Sequence, residues 1–258
     1  MATLTSGWLQ GFDALADPWV LLTMVIAFLG GGLIKGTLGV GLPLFAVPLL
    51  SLVIPAPTAI ALLAVPVLMS NLWQAIDSGS ARAHVVRFTP MLVTILLSTL
   101  VTVPFTLTLS LRVLNILVAS ALLVAVFLMV FQPQLQISPR RERWGSAGVG
   151  VLAGIMAGVS SMAGPLVITY LMALKLPREV FIGSISIIYL FAMVPLYGAL
   201  AYHGRLGWVE ASLSLLGLVP MFLGMRLGKS LRHHLSEAAF RRVLFWFLGF
   251  LAVLLMFK

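Results

Sequence analysis

The sequence contains no cysteine and little negative charge, with 7 Asp and Glu against 16 Lys and Arg in 258 residues. The lack of cysteine excludes disulfides and thiol chemistry. Charged residues make up only 9% of the chain, whereas hydrophobic residues make up 61%. A soluble domain of this size needs a larger polar surface. We therefore predict an all-α polytopic membrane protein with no soluble catalytic domain. We expect that this protein is not an enzyme and that it uses no cofactor or metal.

The positive charge is concentrated in a few loops. A net charge of +9 is compatible with nucleic-acid binding, but in a membrane protein it more often reflects Lys and Arg in cytoplasmic loops. Twelve of the sixteen cationic residues lie in or beside four loops: Arg82 and Arg87; Arg140, Arg141 and Arg143; Lys175 and Arg178; and Arg226, Lys229, Arg232, Arg241 and Arg242. We place these loops in the cytoplasm and expect the lipid bilayer, not nucleic acid, as a partner.

Ten apolar segments follow one another along the chain. They run approximately over residues 18–36, 40–54, 57–76, 89–109, 112–131, 145–162, 164–174, 179–201, 207–226 and 240–257. With the basic loops in the cytoplasm, the chain can cross the membrane consistently only under one condition. Two glycine-rich pairs of segments, 18–54 and 145–174, must each return to the side of the membrane from which they started. Each pair is thus a hairpin that spans fully or re-enters, and its second arm is short for a full crossing. The prediction is 8–10 membrane segments with both termini outside.

The two halves of the chain resemble each other at an offset of 122 residues. This offset pairs Gly32 with Gly154, Gly36 with Gly158, Pro43 with Pro165 and Pro55 with Pro177. We predict a single transmembrane domain with one repeat over 18–131, a second over 145–257 and a cytoplasmic linker over 132–144. Each repeat is a hairpin plus three spans, and because three is odd the repeats insert upside down relative to each other. Inverted repeats with broken helices recur in secondary transporters.

The hairpin tips are candidate anion-binding sites. Non-helical backbone at membrane depth persists only inside the protein or against a water-filled cavity. Where the second arm resumes as a helix, its free N–H groups and positive dipole end face the break. The candidate residues are Gly36, Thr37, Gly39 and Gly41 in the first tip and Gly158, Ser160, Ser161 and Gly164 in the second. Alternatively, the Gly32/Gly36 and Gly154/Gly158 pairs serve only close helix packing.

Three further polar residues lie in the first repeat. Lys35 is the only charge in the first hairpin, and it either contacts the anion or extends to the membrane interface. Asn71 and Gln74 lie three residues apart on one helical face, where they line a polar path or bond neighbouring helices. The matching stretch of the second repeat carries Ser184, Ser186, Tyr189 and Tyr197. Neutral donors of this kind suit an oxyanion that must be both bound and released.

The hairpin sequences also resemble a known family. GGLIKGTLGVGLPLFAVPLL with PAPTAIALL, and the weaker second copy GVLAGIMAGVSSMAGPLV with LPREVFIGS, are similar to the TauE/SafE sulfite exporter family, also called the toluene-sulfonate uptake permease group. The similarity covers about residues 19 to 257. The first motif falls on Gly36, Gly39, Gly41 and Pro43, and the second on Gly158, Gly164 and Pro165. In the second copy, Ser160, Ser161 and Ala163 interrupt the usual glycine cluster.

The resemblance implies a multi-pass carrier of the bacterial inner membrane that moves sulfite, sulfonates or related sulfur-containing or organic anions. Combined with the residues, it predicts a secondary transporter working by alternating access, with the anion bound between the hairpin tips. The alternative is an anion channel in which the same tips form a fixed filter. The expected partner is a small anion, and the sequence is also compatible with a homo-oligomer.

Overall fold

The computed structural model describes residues 17–39, 41–79, 81–131, 137, 139–231 and 237–257. Val40 of the first tip, Arg232, and residues 132–136 and 138 of the predicted linker lie outside this part of the chain. The described residues form twelve helices and no strand, which confirms the all-α prediction. The helices are α1 (Pro18–Leu38), α2 (Leu42–Ser51), α3 (Ala56–Leu62), α4 (Ala64–Asp77), α5 (Ala81–Thr108), α6 (Leu111–Phe131), α7 (Pro139–Ser160), α8 (Gly164–Ala173), α9 (Arg178–Tyr202), α10 (Trp208–Leu216), α11 (Leu218–Leu231) and α12 (Glu237–Met256).

Five stretches of the described chain are long and apolar enough to cross a membrane. They are Pro18–Leu38, Arg82–Thr108, Leu111–Phe131, Val180–Tyr202 and Trp208–Leu231. A sixth is the pair α3 and α4, which is bent by 41°. The protein is therefore a multi-pass membrane protein, as predicted. The second hairpin arms, α2 and α8, have 10 residues each and so a length of about 15 Å, half of the roughly 30 Å hydrocarbon core.

Both predicted interruptions are present between the arms. Gly39 (φ 83°) ends α1, with its N–H donating to Lys35 O at 2.8 Å, and Gly41 (φ 111°) precedes α2. Both φ values lie in the left-handed region that glycine adopts without steric cost. In the second hairpin the non-glycine residue Ser161 takes this role with φ 61°. Each short arm then has a proline in its first turn, where the missing N–H disturbs no helical bond.

Glycine brings α1 into backbone contact with α11. A Cβ on Gly32 would meet Met221 O, and one on Gly36 would meet Met225 O. On the opposite side, a Cβ on Gly224 would meet Leu29 O. We call this contact the α1–α11 seam. Because neither helix has a side chain there, the two axes approach as closely as small-residue interfaces of membrane helices allow.

A second seam joins α5 to α7. A Cβ on Gly154 would lie 2.6 Å from Ile95 O, and one on Gly158 would lie 2.7 Å from Thr102 Cβ. Threonine hydroxyls of α5 also bond to carbonyls of α7, from Thr94 to Ala147 O at 3.0 Å and from Thr99 to Gly154 O at 3.2 Å. The packing role predicted for the Gly32/Gly36 and Gly154/Gly158 pairs is thus confirmed.

The two seams occupy equivalent places in the proposed repeats. Counting hairpin arms and spans from each repeat's start, α1 corresponds to α7, and α5 corresponds to α10 with α11. The α1–α11 and α5–α7 contacts are the two most extensive between the described helices. Each of them joins the first hairpin arm of one repeat to the corresponding span of the other repeat. This pairing supports the inverted repeat, which stays a prediction, as do the repeat boundaries.

The α1–α11 seam gives a direct stability prediction. Gly32→Ala places a Cβ against the Met221 carbonyl, and backbone cannot step aside as a flexible side chain can. We expect a loss of about 1–3 kcal/mol of stability, read as a lower melting temperature in detergent. The matched control is Gly148→Ala on α7, whose added Cβ meets no atom within 4 Å and should change stability by at most about 1 kcal/mol, in the favourable direction. Equal melting of the two variants would contradict the prediction.

Candidate functional site

The two hairpin tips meet at one small cavity. Gly41 lines it from the first hairpin, and Ser161 and Gly164 line it from the second. The cavity measures about 10 Å³, which is close to the room that one water molecule needs. Tyr189 of α9 and Met129 of α6 complete its wall. The fold therefore brings three of the predicted site residues together, although Ser161 and Gly164 lie more than a hundred residues after Gly41 in the sequence.

Two helices begin at this cavity. α2 starts after Gly41 and α8 starts at Gly164, and neither has a side-chain hydrogen bond capping its N-terminus. The N–H groups of a first helical turn have no partner within their own helix. Their partial positive charge is increased by the helix dipole, and such ends bind anions. The fold thus points two uncapped helix N-termini at the same buried space.

Tyr189 adds a hydroxyl donor to this space. Its side chain is only 5% exposed, and its hydroxyl occupies the position that a Cβ on Gly164 would take. Among the described residues, no hydrogen-bond partner reaches this hydroxyl. The hydroxyl lies on the cavity wall, where a ligand that accepts a hydrogen bond would bind it, so Tyr189 belongs to the candidate site.

The three predicted hydroxyl side chains point in different directions. Ser161, fully buried, donates to Met193 Sδ at 3.3 Å and lies 3.4 Å from the Tyr197 hydroxyl. Ser160 instead donates to the carbonyl of Met156, one turn back in its own helix. Thr37 likewise donates to the carbonyls of Leu33 and Ile34 in α1. Of the three, only Ser161 lies on the wall of the cavity.

The predicted tip glycines also fall into two groups. Gly36 and Gly158 lie in the seams, where they pack against α11 and α5. Gly39 and Gly41 lie in the break itself, and Gly39 has no neighbour within 4 Å of an added Cβ. A side chain at Gly39 therefore has space, but it would strain a backbone with a φ of 83°. The first group supports the helices and the second shapes the tip.

Lys35 is buried beside Asn71. Its side chain is 4% exposed, and Nζ donates to Asn71 Oδ1 at 2.9 Å. The side chain therefore does not extend to the membrane interface, the alternative that the sequence left open. Asn71 is held in turn by a hydrogen bond of 2.8 Å from Nδ2 to Val67 O. The predicted residues Lys35 and Asn71 form one polar pair between α1 and α4.

The ammonium of Lys35 faces no carboxylate in the part of the chain that the structure describes. The single ion pair found there joins Arg87 to Glu142 at 2.7 Å. An ammonium has three N–H donors, and Asn71 accepts from one of them. A buried charge without a counter-charge costs several kcal/mol. An anion is the partner that would offset this cost best.

One face of α9 connects these groups. Ser186 donates to Gln74 Oε1 at 3.3 Å, which links α9 to α4 one turn beyond Asn71. Tyr189, Met193 and Tyr197 follow Ser186 at intervals of three and four residues, so the four side chains share one helical face. Gln74 thus forms a hydrogen bond with a neighbouring helix, which is one of the two roles that the sequence left open for it.

A multi-pass helical protein with two broken helices meeting at a small internal cavity has the architecture of a membrane transport protein. The profile of the sulfite exporter TauE/SafE family matches residues 23–255, and the chain therefore belongs to this family, as the hairpin sequences predicted. Membership implies membrane transport of sulfite or related anions. No curated protein and no solved structure matches the chain. Both tips, Lys35 and Tyr189 lie within the matched range.

Proposed function

We propose that this protein is a secondary transporter that moves small anions of the sulfite and sulfonate class across the bacterial inner membrane by alternating access. The observation that carries the proposal is the meeting of two uncapped helix N-termini at one buried cavity, beside the unpartnered hydroxyl of Tyr189. Sulfite and sulfonates present three oxygens that accept hydrogen bonds. Backbone N–H groups, Tyr189 and Ser161 supply neutral donors for them.

Lys35 supplies the positive charge in this proposal. It precedes Gly39 by four residues, which is about 6 Å along a helix axis, so the residue lies about one turn from the first tip. At the low dielectric of a buried site, a charge at this distance acts strongly on an anion. Asn71 holds the ammonium in place through its hydrogen bond. Neutral donors at the tips with a single cation nearby favour reversible binding over permanent pairing.

The size of the cavity favours a carrier over a channel. A space of about 10 Å³ accommodates one water molecule, whereas an oxyanion of four or more heavy atoms needs several times that room. The tips must therefore separate to admit the anion. In alternating access this separation accompanies a movement of one repeat against the other. A fixed filter would instead need an aqueous path of constant width.

The function can be tested with purified protein in proteoliposomes. We expect labelled sulfite or a small sulfonate to enter with saturable kinetics, and unlabelled substrate on the other side to accelerate the uptake by counterflow. A current that grows linearly with concentration and shows no counterflow would establish the channel instead. The absence of flux for sulfite, sulfate, thiosulfate, sulfonates and carboxylates alike would refute the transport proposal.

Ligand binding can be measured independently of flux. A ligand that binds only the folded state raises the melting temperature. We expect the transported anion to give the largest shift among the five classes tested, and the Tyr189→Phe variant to lose most of that shift. A shift that is equal for all anions, including chloride, would indicate general ionic strength and not a site.

A further inference from the structure

A large groove runs along the surface between α5 and α7, away from the cavity at the tips. Its volume is about 1080 Å³, and its wall includes Arg87 and Thr89 of α5 and Arg143 and Trp144 of α7. It lies at the end of the seam that carries the arginine-rich loops, which the charge distribution places in the cytoplasm. Nothing in the proposed transport cycle uses these residues.

A bend in α5 lies within the stretch that lines the groove. Phe88 departs from helical geometry with φ −99° and ψ 15°, and Pro90 lacks the N–H that would bond the carbonyl of Val86. The hydroxyl of Thr89 satisfies this carbonyl at 3.2 Å and that of Val85 at 2.8 Å. The irregular backbone is thus stabilised locally by the Thr89 side chain.

The two arginines at the polar end differ in their pairing. Arg87 makes a two-pronged contact with Glu142, at 2.7 Å from Nε and 3.3 Å from Nη2. Arg143 is exposed, and among the described residues it contacts no carboxylate. With one of the two guanidinium groups neutralised, the wall keeps one net positive charge. Trp144, 82% exposed, stands next to that charge as aromatic residues do at the headgroup level of a bilayer.

The other end of the groove is apolar. Val86 is 69% exposed and Val93 is 50% exposed, and Pro90 lies between them on the same wall. From Val86 to Val93 the helix advances about 10 Å. The groove therefore combines a cationic mouth with an apolar floor that extends two helical turns into the depth of the membrane. A free inorganic anion would leave this floor uncovered.

We propose that this groove binds one anionic glycerophospholipid of the cytoplasmic leaflet. The phosphate and headgroup lie on the guanidinium groups of Arg143 and Arg87, and an acyl chain covers Val86, Pro90 and Val93. Charge complementarity selects an anionic over a zwitterionic lipid, because basic sites at the cytoplasmic ends of membrane helices attract anionic headgroups. Since the lipid lies across the α5–α7 seam, its binding stabilises the folded protein.

The test compares the wild type with Arg143→Gln in lipid-depleted detergent. The control is Arg82→Gln, which removes an exposed cation from the same loop region but not from the groove. Phosphatidylglycerol is added to each protein. Two comparison ligands are added in separate samples: phosphatidylcholine with the same acyl chains, and inorganic phosphate. Melting temperature and native mass spectrometry are the measurements.

We expect phosphatidylglycerol to raise the melting temperature of the wild type and of Arg82→Gln by about 5 °C, with one lipid retained per chain. Arg143→Gln should lose at least half of this shift and most of the retained lipid. An equal shift with phosphatidylcholine, or an unchanged response in Arg143→Gln, would overturn the proposal. An equal shift with inorganic phosphate would also overturn the proposal, because it would indicate a site for a free anion. A dimer that forms without lipid and is disrupted by Arg143→Gln would overturn it as well.

Discussion

Lys35→Met is expected to reduce anion flux by about 100-fold or more, the loss typical when a donor to a buried oxyanion is removed. The same variant should unfold at a temperature no lower than that of the wild type. Methionine fills a similar volume, and it removes a buried charge that faces no carboxylate among the described residues, which costs several kcal/mol. The loss of the Asn71 partner costs less, about 1–3 kcal/mol.

Flux in proteoliposomes and melting in detergent measure the two effects separately. Lys229→Met on the exposed face of α11 is the matched control and should change neither. Unchanged transport kinetics in Lys35→Met would show that the lysine does not act on the anion and serves only to orient the chain in the membrane. A loss of flux together with a loss of folded protein would show that the lysine is needed for the fold and not for the anion.

The pairing of Lys35 with Asn71 can be tested by a double-mutant cycle. Asn71→Leu alone removes the one hydrogen bond described for the ammonium, and leaving a buried donor without its partner costs about 1–3 kcal/mol, and more where the donor is charged. The Lys35→Met/Asn71→Leu protein has neither the charge nor its hydrogen-bond partner at this position and should regain the stability. It should not regain transport, because the cation is absent. Recovery of flux in the double variant would exclude a direct electrostatic role for Lys35.

Gly164→Ala is expected to eliminate anion binding and to lower the melting temperature. Its added Cβ would coincide with the hydroxyl of Tyr189, so it both fills the cavity and displaces the side chain that we assign to the site. Gly198→Ala on α9 adds the same methyl group where no atom lies within 4 Å, and it should preserve binding. Anion-induced thermal shift and saturable uptake are the measurements.

Tyr189→Phe separates the two consequences of the Gly164 substitution. Alone it removes an unpartnered hydroxyl, so the fold should be retained, while the KM for the anion rises about 10-fold or more because a hydrogen bond to a charged ligand is lost. In the Gly164→Ala background it removes the atom that clashes, and melting should recover while transport does not. If Gly164→Ala alone still binds the anion with wild-type affinity, the cavity between the tips is not the site.

Hydrophobic runs predicted the spans well, but they did not reveal where spans bend. Residues 57–76 read as one segment, whereas the structure divides it into α3 and α4 at Leu63. Pro66 removes one helical N–H nearby, and the N–H of Val65 donates to Ser214 Oγ of α10 at 2.9 Å. That partner is 149 residues away in sequence. A bend stabilised by so distant a group cannot be read from local periodicity.

The tips were predictable because glycine and proline interrupt an apolar run only where the backbone must turn. The orientation of side chains was not. Ser160 and Ser161 are neighbours of the same type, yet only Ser161 lies beyond the helix end, where a left-handed backbone turns it toward the cavity. Lys35 and Asn71 were both chosen from sequence, but their pairing depends on where the fold places α4 within reach of the long Lys35 side chain.

Threonine hydroxyls make the two seams mechanically unequal. Translating α7 along α5 by one turn would pull Thr94, Thr99 and Thr106 away from the carbonyls of Ala147, Gly154 and Gly158. Across α1 and α11, glycine faces backbone from both sides, so the same displacement is opposed by steric contact and not by threonine hydrogen bonds. The helix that carries Lys35 is therefore held at its seam by close shape, whereas the first arm of the second hairpin is held at its seam by hydrogen bonds as well.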